Sequence, residues 1–580
     1  MFTPVFEIIT VIMIGRANND DKKADASYTA AGEHTTASRI GKVYLHEFPP
    51  SADPSKSPAR DSDGKLSSAA YLRGAVKAPG PAAEALKLEY HHPLEDLIPR
   101  RWFRWILGRI SAPGRRGTAL DRILKSYHNP DAPLGDRMKY WPFHWLINRV
   151  RGKAPPQKVR EKLALHAPTL NGIVITARSL AEFGLTAPQK FSAPLFAVWN
   201  FTNRCNLACK HCYQDSEHSA LADELTQEEK LDLVDQMGQS RMPMLAISGG
   251  EPTISPDLLP VLRRAGRYGM HTTLATNGTT ITPKLAGQLA EAGLRYVEIS
   301  LDSVDPSRHD AFRGSPGMWQ RSAAGARVVA STPGLRLGIA MCVHQGNFHE
   351  VRDMIALAEK LGAGCFAHFN FIPVGRGLKM VWGDITPAQR EELLSILNEK
   401  MQEGGMGVIS TAPQLGRVCL AGAALESGRT ACSHAGSGSG AKARVVAKYL
   451  GGCGAGRTYV CIEPNGNITP CVYLPHRVMG SVRRAPFIEI FRKSIFWDIL
   501  NDRDRRLHHC QVCAYKSYCG GCRARADAYF GQLHAGDPGC IFNDRHWDKL
   551  VADGVAMVGD GGAGFQAADF RLTPTRHGPA

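Results

Sequence analysis

Six short apolar runs recur between residues 195 and 373, and longer amphipathic stretches separate them. The runs are LFAVWNF, LAISGG, TTLATNG, YVEISLD, LGIAMCV and FAHFNFIP. Each has the length of a strand. The intervening stretch TQEEKLDLVDQM has Thr226 as a helix N-cap and Glu229 as its capping-box partner. Strands that alternate with helices predict an α/β fold of parallel β/α units, and six units predict a partial barrel rather than a closed one.

Composition divides the rest of the chain. Residues 1–83 are mostly polar, which predicts a largely disordered N-terminus. Residues 84–192 form a basic, aromatic-rich extension that we expect to be mostly helical, and the barrel is expected over 193–433. A Gly/Ser-rich flexible linker over 434–446, a cysteine-rich module over 447–556 and a disordered tail over 557–580 complete the predicted organisation.

Two segments of the extension mix basic and aromatic residues. The segment RRWFRWILGRI contains Trp102 and Trp105, and KYWPFHWLINRVRGK contains Trp141 and Trp145. One interpretation is a basic amphipathic surface, which makes 98–153 a candidate for a peripheral membrane or partner contact. The other is a helical cap whose aromatic side chains pack on the barrel while the arginines stay in water. We favour the helical cap.

Length and charge narrow the possible classes of protein. A chain of 580 residues is too long for one compact domain. Its net charge of +16 is compatible with nucleic acid, an anionic membrane surface or an acidic redox protein, and we expect the redox protein rather than nucleic acid. The apolar stretch Ile8–Ile14 is far shorter than the ~20 residues that span a bilayer. The 15 cysteines cluster in metal-ligand spacings, which indicates a reducing, cytoplasmic location.

The run CNLACKHC carries the strongest chemical signal. It places Cys205, Cys209 and Cys212 close together, with no fourth cysteine nearby. A [4Fe–4S] cluster normally takes four cysteines, so three leave one iron open to a small molecule. Such a cluster is a reaction centre rather than an electron carrier. A zinc knuckle completed by His211 is the alternative, but the spacing and the lack of a second local pair argue against it.

The triplet, Tyr213 after it and the later SGGEP segment resemble the radical S-adenosylmethionine (SAM) superfamily over residues 193–410. This resemblance implies that SAM chelates the open iron. The reduced cluster then splits a carbon–sulfur bond to give a 5′-deoxyadenosyl radical. It also implies that Cys205, Cys209 and Cys212 are the catalytic cluster ligands.

The same resemblance suggests which residues contact SAM. The GGEP segment would lie against the SAM amino group, and polar residues near later strand ends resemble positions that bind the ribose or the carboxylate. The candidate cofactor-binding residues are Tyr213, Gly249, Gly250, Glu251, Pro252, Thr276, Asn277, Ser300, Asp302 and Arg313. Any one of the polar residues at the third and fourth strand ends could instead cap a helix.

Eight further cysteines follow in CGAGRTYVCIEPNGNITPC, CQVCAYKSYCGGC and GDPGC. Two fully ligated cubanes require eight, although two zinc ribbons would use the same number. The region resembles the SPASM extension of radical SAM enzymes, which carries auxiliary [4Fe–4S] clusters. By that resemblance one cluster takes Cys453, Cys461, Cys471 and Cys522, and the other takes Cys510, Cys513, Cys519 and Cys540. Cys365, Cys419 and Cys432 have no assigned role.

Only two residues separate Cys519 from Cys522, where the general SPASM pattern has three. This shortening and the phrase CGGCRARADAY resemble a subgroup active in alternative and dissimilatory-type heme synthesis. The long N-terminal region does not match that subgroup.

The combined hypothesis is a radical SAM oxidoreductase that takes a hydrogen atom from an unactivated carbon and passes an electron out through auxiliary clusters. A tetrapyrrole side chain is the favoured substrate, and a ribosomal peptide or protein is the alternative. We expect a ferredoxin or flavodoxin as electron donor. A non-catalytic iron–sulfur electron carrier is the hypothesis from another class, and the open iron argues against it.

Overall fold

The computed structural model describes residues 93–114, 117–151, 154–422, 428–433, 436–553 and 556. The predicted disordered segments 1–83 and 557–580, and the apolar stretch Ile8–Ile14, lie outside these residues. Among the described residues, no helix combines the length and the apolar character needed to cross a bilayer.

One ten-stranded sheet organises the molecule. The six expected strands are β1 (Phe196–Asn200), β2 (Met244–Ser248), β3 (His271–Thr276), β4 (Leu294–Ser300), β5 (Arg336–Val343) and β6 (Cys365–Asn370). The later strands are β7 (Gly407–Ser410), β8 (Arg429–Ser433), β9 (Gly436–Ser439), β10 (Tyr459–Ile462), β11 (Asn467–Thr469) and β12 (Gly480–Ser481). The sheet has the order β12-β11-β10-β1-β2-β3-β4-β5-β6-β7, and β8 pairs with β9 separately.

The six predicted strands are mutually parallel in chain order, which confirms the partial barrel. The structure adds β7 at one edge and β10 at the other, both parallel to their neighbours. Side chains on β4 show how the sheet is buried on both faces. Val297 and Ile299 belong to the main hydrophobic core, whereas Glu298 and Ser300 line an internal cavity.

Helices cover the outside of the barrel. They are Gln227–Gln239, Leu258–Arg267, Pro283–Glu291, Pro306–Arg313, Met318–Ser331, Val351–Lys360, Pro387–Glu403 and Leu415–Gly422. The first begins as the sequence predicts, because the Thr226 side chain accepts from the Glu229 amide and the Glu229 carboxylate accepts from the Thr226 amide. Short 3-10 segments lie at Pro252–Ile254, Phe348–Glu350 and Gly375–Gly383.

The N-terminal extension is helical over its described residues. Its α-helices are α1 (Pro93–Leu97), α2 (Arg101–Ser111), α3 (Ala119–Ser126), α4 (Leu134–Lys139), α5 (Trp141–Val150), α6 (Pro156–Arg160) and α7 (Ala167–Phe183), with a π-helical turn at Glu161–Leu165. Leu107 of α2 and Ile173 of α7 belong to a second hydrophobic core.

Two expectations from the sequence fail, one for residues 434–446 and one for the N-terminal extension. Residues 434–446 include β9 and most of the helix Gly440–Leu450, rather than only a flexible linker. The helix forms because its apolar residues, among them Val446 and Ala447, are buried in the second core. The packed-cap interpretation is also wrong for the tryptophans. Phe103 and Ile110 already fill the inner contact of α2, and Trp102 and Trp105 lie in solvent.

The cysteine-rich module contributes β10, β11 and β12 to the sheet and adds short helices. These are Phe487–Lys493, Phe496–Asn501, His509–Val512, Arg523–Phe530 and Asp544–Ala552, with a 3-10 segment at Ile541–Asn543. Because β10 pairs directly with β1, the module continues the barrel wall.

Candidate functional site

A cavity of about 330 Å³ lies inside the barrel and is lined by cysteines from both predicted cluster regions. The triplet Cys205, Cys209 and Cys212 lines it, and so do Cys453, Cys471 and Cys522 of the C-terminal module. Residues at the carboxyl ends of β2 to β6 complete much of the wall, which is where ligands gather in β/α folds.

The loop after β1 holds the triplet in hydrogen-bonded surroundings. The Leu207 amide donates to Cys205 Sγ at 3.5 Å, and the Ser216 amide donates to Cys212 Sγ at 3.4 Å. Arg313 Nη1 lies 3.7 Å from Cys209 Sγ. Burial raises the pKa of the Cys205 thiol to about 12, so the thiol would stay protonated without an added positive charge. Donors aimed at three sulfurs, of which those of Cys205 and Cys209 are buried, fit a bound metal cluster.

Arg313 and Asp302 form a buried ion pair beside the triplet. Arg313 Nη2 lies 2.6 Å from Asp302 Oδ2. Burial opposes ionisation of Asp302, but the positive charge of Arg313 and the amide of Cys342, which donates to the carboxylate, help to lower the Asp302 pKa to about 2. Arg313 therefore joins a carboxylate and a cluster sulfur at the cavity wall.

His211, the fourth ligand in the zinc alternative, is held in a stack of rings. Its ring centroid lies 4.4 Å from that of Phe312 with the planes 3° apart, and Phe312 stacks in turn on His344. Burial lowers the His211 pKa to about 3, so the imidazole is neutral near pH 7. The His211 side chain also faces Asp302, at 3.9 Å between Nε2 and Oδ2.

The GGEP segment is fixed by the backbone around it. Gly249 has φ +112°, and a Cβ at Gly250 would lie only 2.2 Å from the Arg204 carbonyl oxygen. Both glycines line the cavity. The Glu251 carboxylate is fully buried and accepts from the Asn277 amide at 2.8 Å and from Thr276 Oγ1 at 2.7 Å. Glu251 thus ties the end of β2 to the end of β3.

The remaining predicted SAM-contact residues divide by position. Tyr213, Thr276, Asn277, Ser300, Asp302 and Arg313 all line the cavity, as Gly249 and Gly250 do. The described cavity lining does not include Glu251, and Pro252 begins the 3-10 turn that follows. The structure therefore gathers eight of the ten predicted contact residues around one space and leaves Glu251 and Pro252 behind it.

A buried chain of hydrogen bonds joins the triplet loop to the cysteine-rich module. The Tyr213 hydroxyl donates to Asn200 Oδ1 at 2.8 Å, and Asn200 Nδ2 donates to Glu463 Oε2 at 3.0 Å. The Cys461 thiol donates to Glu463 Oε1 at 3.5 Å. Cys461 thus faces this network from β10, whereas its three predicted partners line the cavity.

The structure gathers the second predicted auxiliary group and three cysteines of the first, whereas Cys461 faces the Glu463 network. Cys453, Cys471 and Cys522 belong to one buried cluster, and the Tyr459 hydroxyl donates to Cys471 Sγ at 2.9 Å. In the other group, burial and the nearby Cys519 and Cys510 thiolates raise the pKa of Cys540. The Cys513 pKa is raised chiefly by burial and also by Cys510.

Four buried arginines of the cysteine-rich module have no negatively charged partner among the described residues. They are Arg457, Arg503, Arg506 and Arg523. Among the described residues they donate to backbone carbonyls, and no carboxylate pairs with them. Burial lowers the pKa of Arg503 and of Arg506 to about 9. Buried cations need a counter-charge, and thiolate-ligated clusters at the neighbouring cysteines would supply it. The residues therefore fit anionic clusters.

The sequence analysis did not identify two of the residues that line the cavity. Asn370 at the end of β6 is buried, and neither its Oδ1 nor its Nδ2 has a hydrogen-bond partner among the described residues. Burial raises the pKa of Glu298 on β4 to about 7, and the Tyr296 hydroxyl donates to Glu298 Oε2 at 3.2 Å. The available signal was a polar residue inside each of the apolar runs YVEISLD and FAHFNFIP.

Comparison with known families agrees with this geometry. Residues 199–358 match the family model described as the radical SAM superfamily. Residues 453–514 match the SPASM model, described as an iron-sulfur cluster-binding domain.

Two curated relatives and one solved structure are similar to the chain. The AdoMet-dependent heme synthase of Methanosarcina barkeri is 32% identical over 352 residues, which cover 60% of this chain and 97% of that protein. The mycofactocin maturase of Mycobacterium tuberculosis is 28% identical, with 60% and 83% covered. The crystal structure of Streptococcus suis SuiB bound to the precursor peptide SuiA has a TM-score of 0.52 at 13% identity, with 72% and 92% covered. That structural likeness concerns the fold alone.

Replacing Cys205, Cys209 and Cys212 together with Ala should remove about four of roughly twelve irons per chain, because each cubane holds four. Iron and sulfide analysis with Mössbauer spectroscopy on anaerobically purified protein would measure this. Cys419→Ala is the matched control, since Cys419 is a buried thiol outside both groups. A triple variant with its full iron content would contradict the cluster assignment.

Gly250→Val should abolish SAM binding. The sequence alone suggests a block to the ligand, but the structure adds a collision with the Arg204 carbonyl, next to Cys205, so part of the first cluster should be lost as well. Equilibrium dialysis with labelled SAM and iron analysis would measure both effects. Gly287→Val is the control, because nothing lies within 4 Å of a Cβ there. Retained SAM affinity in Gly250→Val would count against the site.

Proposed function

The chain belongs to the radical SAM superfamily and carries a SPASM domain, and from that premise we propose that it oxidises a side chain of a tetrapyrrole. As a member of this superfamily it is an enzyme that binds SAM and a [4Fe–4S] cluster, with auxiliary iron–sulfur clusters in the SPASM domain. One observation carries the proposal: a single cavity is lined both by the triplet and by three cysteines of the first auxiliary group.

When bound, SAM and the reduced cluster supply a 5′-deoxyadenosyl radical that takes a hydrogen atom from carbon, and an oxidised auxiliary cluster accepts an electron. For a propionate side chain that has lost a hydrogen atom, the balance is R–CH•–CH₂–COO⁻ → R–CH=CH₂ + CO₂ + e⁻. The carbon–carbon bond to the carboxylate breaks and a vinyl double bond forms. The protein must therefore hold the substrate side chain near the triplet, and one electron must pass from the substrate to an auxiliary cluster.

The aromatic lining of the cavity suits contact with the face of an apolar ring that carries a few polar substituents. Aromatic residues contribute much of the wall, namely Phe196, Tyr213, Tyr296, Phe369, Phe371, Tyr459 and Tyr473. Aromatic walls with a few placed polar groups are typical of sites for such ligands. Asn370 offers an unpartnered amide, and Glu298 offers a carboxyl that is protonated below about pH 7. Both could hydrogen-bond a carboxylate of the substrate.

The heme-synthase relative supports the tetrapyrrole substrate. The PqqA peptide cyclase of Gluconobacter oxydans, 26% identical over 363 residues, supports a peptide substrate as the second candidate. We propose a ferredoxin or flavodoxin as the donor of the first electron, because the chain is strongly basic and these carriers are acidic. Cysteines grouped in cluster-ligand spacings suit a reducing compartment, so we propose that the reaction takes place in the cytoplasm.

The decisive experiment is an anaerobic incubation of the reconstituted enzyme with SAM, dithionite and an iron porphyrin that carries propionates. We expect 5′-deoxyadenosine together with a porphyrin that has lost CO₂ and two hydrogens from a side chain, both detected by mass spectrometry. Deoxyadenosine formed with the porphyrin unchanged would contradict the tetrapyrrole proposal. A precursor peptide modified under the same conditions would establish the second candidate.

Glu298→Gln should change how porphyrin binding depends on pH. The raised pKa leaves the wild-type carboxyl neutral below about pH 7, where it donates to a substrate carboxylate, and charged above it, where it repels one. Binding to the wild type should therefore weaken as pH rises through 7, whereas the neutral Gln variant should lose this dependence. Absorbance titrations of the porphyrin between about pH 6 and pH 8.5 would measure both profiles. Superimposable profiles would show that Glu298 does not face the substrate.

Cys513→Ala should uncouple SAM cleavage from product formation. The triplet and its surroundings lie in the barrel, so 5′-deoxyadenosine should still form, whereas the oxidised side chain needs an electron acceptor. Chromatography of deoxyadenosine and product, with Mössbauer analysis of the clusters, would test this, and Cys419→Ala again serves as the control. A folded Cys513→Ala enzyme that lacks the second auxiliary cluster yet makes product normally would show that this cluster is structural.

A further inference from the structure

Helices α2 and α5 expose tryptophans that the proposed reaction does not use. The exposed fractions are 54% for Trp102, 63% for Trp105, 65% for Trp141 and 55% for Trp145. The chain has nine tryptophans, so nearly half of them lie on these two helices in contact with water. Large apolar groups that are exposed together, unlike singly exposed ones, indicate an interaction surface.

The exposure follows from the helical spacing. In α2, Trp102, Trp105 and Arg109 recur at i, i+3 and i+7 on one side, while Leu107 on the other side is buried in the second core. In α5, Trp141, Trp145 and Arg149 recur at i, i+4 and i+8, while Ile147 packs on the same core. Each helix is therefore apolar on its inner side and carries a second, aromatic stripe outside.

An arginine stacks on a tryptophan in each stripe. Arg109 Cζ lies 5.3 Å from the Trp105 ring centroid, and Arg149 Cζ lies 5.6 Å from the Trp145 centroid. The two pairs have the same i, i+4 spacing. An indole prefers the boundary between lipid tails and headgroups, and a guanidinium binds phosphate with paired donors. The repeated pair thus offers both groups that a phospholipid surface recognises.

Helix α4 also exposes apolar and basic side chains. Leu134 and Met138 are strongly exposed, and exposed Arg137 and Lys139 lie beside them. Asp136 is the single acidic residue in α2, α4 and α5. Exposed apolar side chains with an excess of cations complement an anionic lipid surface.

We propose that the exposed sides of α2, α4 and α5 dock on an anionic phospholipid bilayer. The tryptophans and Met138 would enter the headgroup boundary, and the basic side chains would bind lipid phosphates. Trp and Arg are also common in protein interfaces, but a single acidic residue among three basic helices matches an anionic lipid surface better. This surface is independent of the cavity, so the proposal stands or falls separately from the proposed reaction.

Vesicle flotation with the full-length holoenzyme tests the surface. Wild-type protein should float with vesicles of phosphatidylcholine and phosphatidylglycerol, and much less with phosphatidylcholine alone. The variant Trp102→Ala/Trp105→Ala/Trp141→Ala/Trp145→Ala should bind anionic vesicles at least about tenfold more weakly. Arg109→Glu/Arg149→Glu should show a similar loss. Trp382→Ala is the matched control, since Trp382 is 51% exposed but lies outside these helices, and it should bind as the wild type does.

Circular dichroism and iron content would establish that each variant is folded, and a Trp102→Phe/Trp105→Phe variant with intermediate binding gives a second, conservative measure. Wild-type protein that stays unbound to anionic vesicles at low salt would overturn the proposal. So would a tryptophan variant that floats like the wild type, because general positive charge would then explain the binding. Tryptophan-dependent binding to a purified acidic ferredoxin, with no binding to vesicles, would assign the surface to a protein instead.

Discussion

Charge balance in the interior is the constraint on which the rest of this structure depends. The C-terminal module buries four guanidinium groups that donate to backbone carbonyls, and the described part of the chain offers them no carboxylate. A lone buried cation is costly, whereas a cation beside a thiolate-ligated cluster is not. The cysteine thiols show the opposite need, because burial, with smaller contributions from neighbouring acidic groups, raises the pKa of Cys519 and Cys522 to about 12. Arginines and cysteines therefore each require what the bound clusters provide.

The position of the module follows from backbone pairing. Strand β10 pairs in parallel with β1, the strand that leads into the triplet loop, so the two cysteine regions share one wall. On the other side of the barrel, side-chain contacts hold the cysteine-rich module in place. Asp384, just after the last 3-10 segment of the barrel, pairs with Arg390 at 2.5 Å and with Arg525 at 3.0 Å, and all three are buried. Asp537 accepts from the Cys522 amide at 2.7 Å and from Gln414. A cavity between the two regions is the consequence.

Local patterns explain what the sequence could predict. Alternating apolar runs locate β1 to β6, and the Thr226 capping box locates a helix start, because both depend on residues close together in the chain. Cysteine spacing likewise marks the triplet. The pairing of β10 with β1 spans more than 250 residues and has no local signal. The Gly/Ser composition gave no sign of the helix Gly440–Leu450, because this helix depends on burial in the second hydrophobic core, which includes residues far away in the chain. The roles of Asn370 and Glu298 depend on which side of a strand faces the cavity.

The N-terminal extension supports the first auxiliary group through that same helix. The Gln189 amide donates to the Tyr449 carbonyl at 2.8 Å, and the Leu195 amide donates to the Thr458 carbonyl at 2.8 Å. Arg457 donates to the Leu450 and Gly451 carbonyls immediately before Cys453. The segment that positions Cys453 is therefore held by the extension on one side and by a buried cation on the other. Because α2, α7 and this helix pack in one hydrophobic core, that core joins the exposed tryptophans to the cysteine-rich wall of the cavity. A surface contact made by the extension would then orient the whole barrel without altering the cavity.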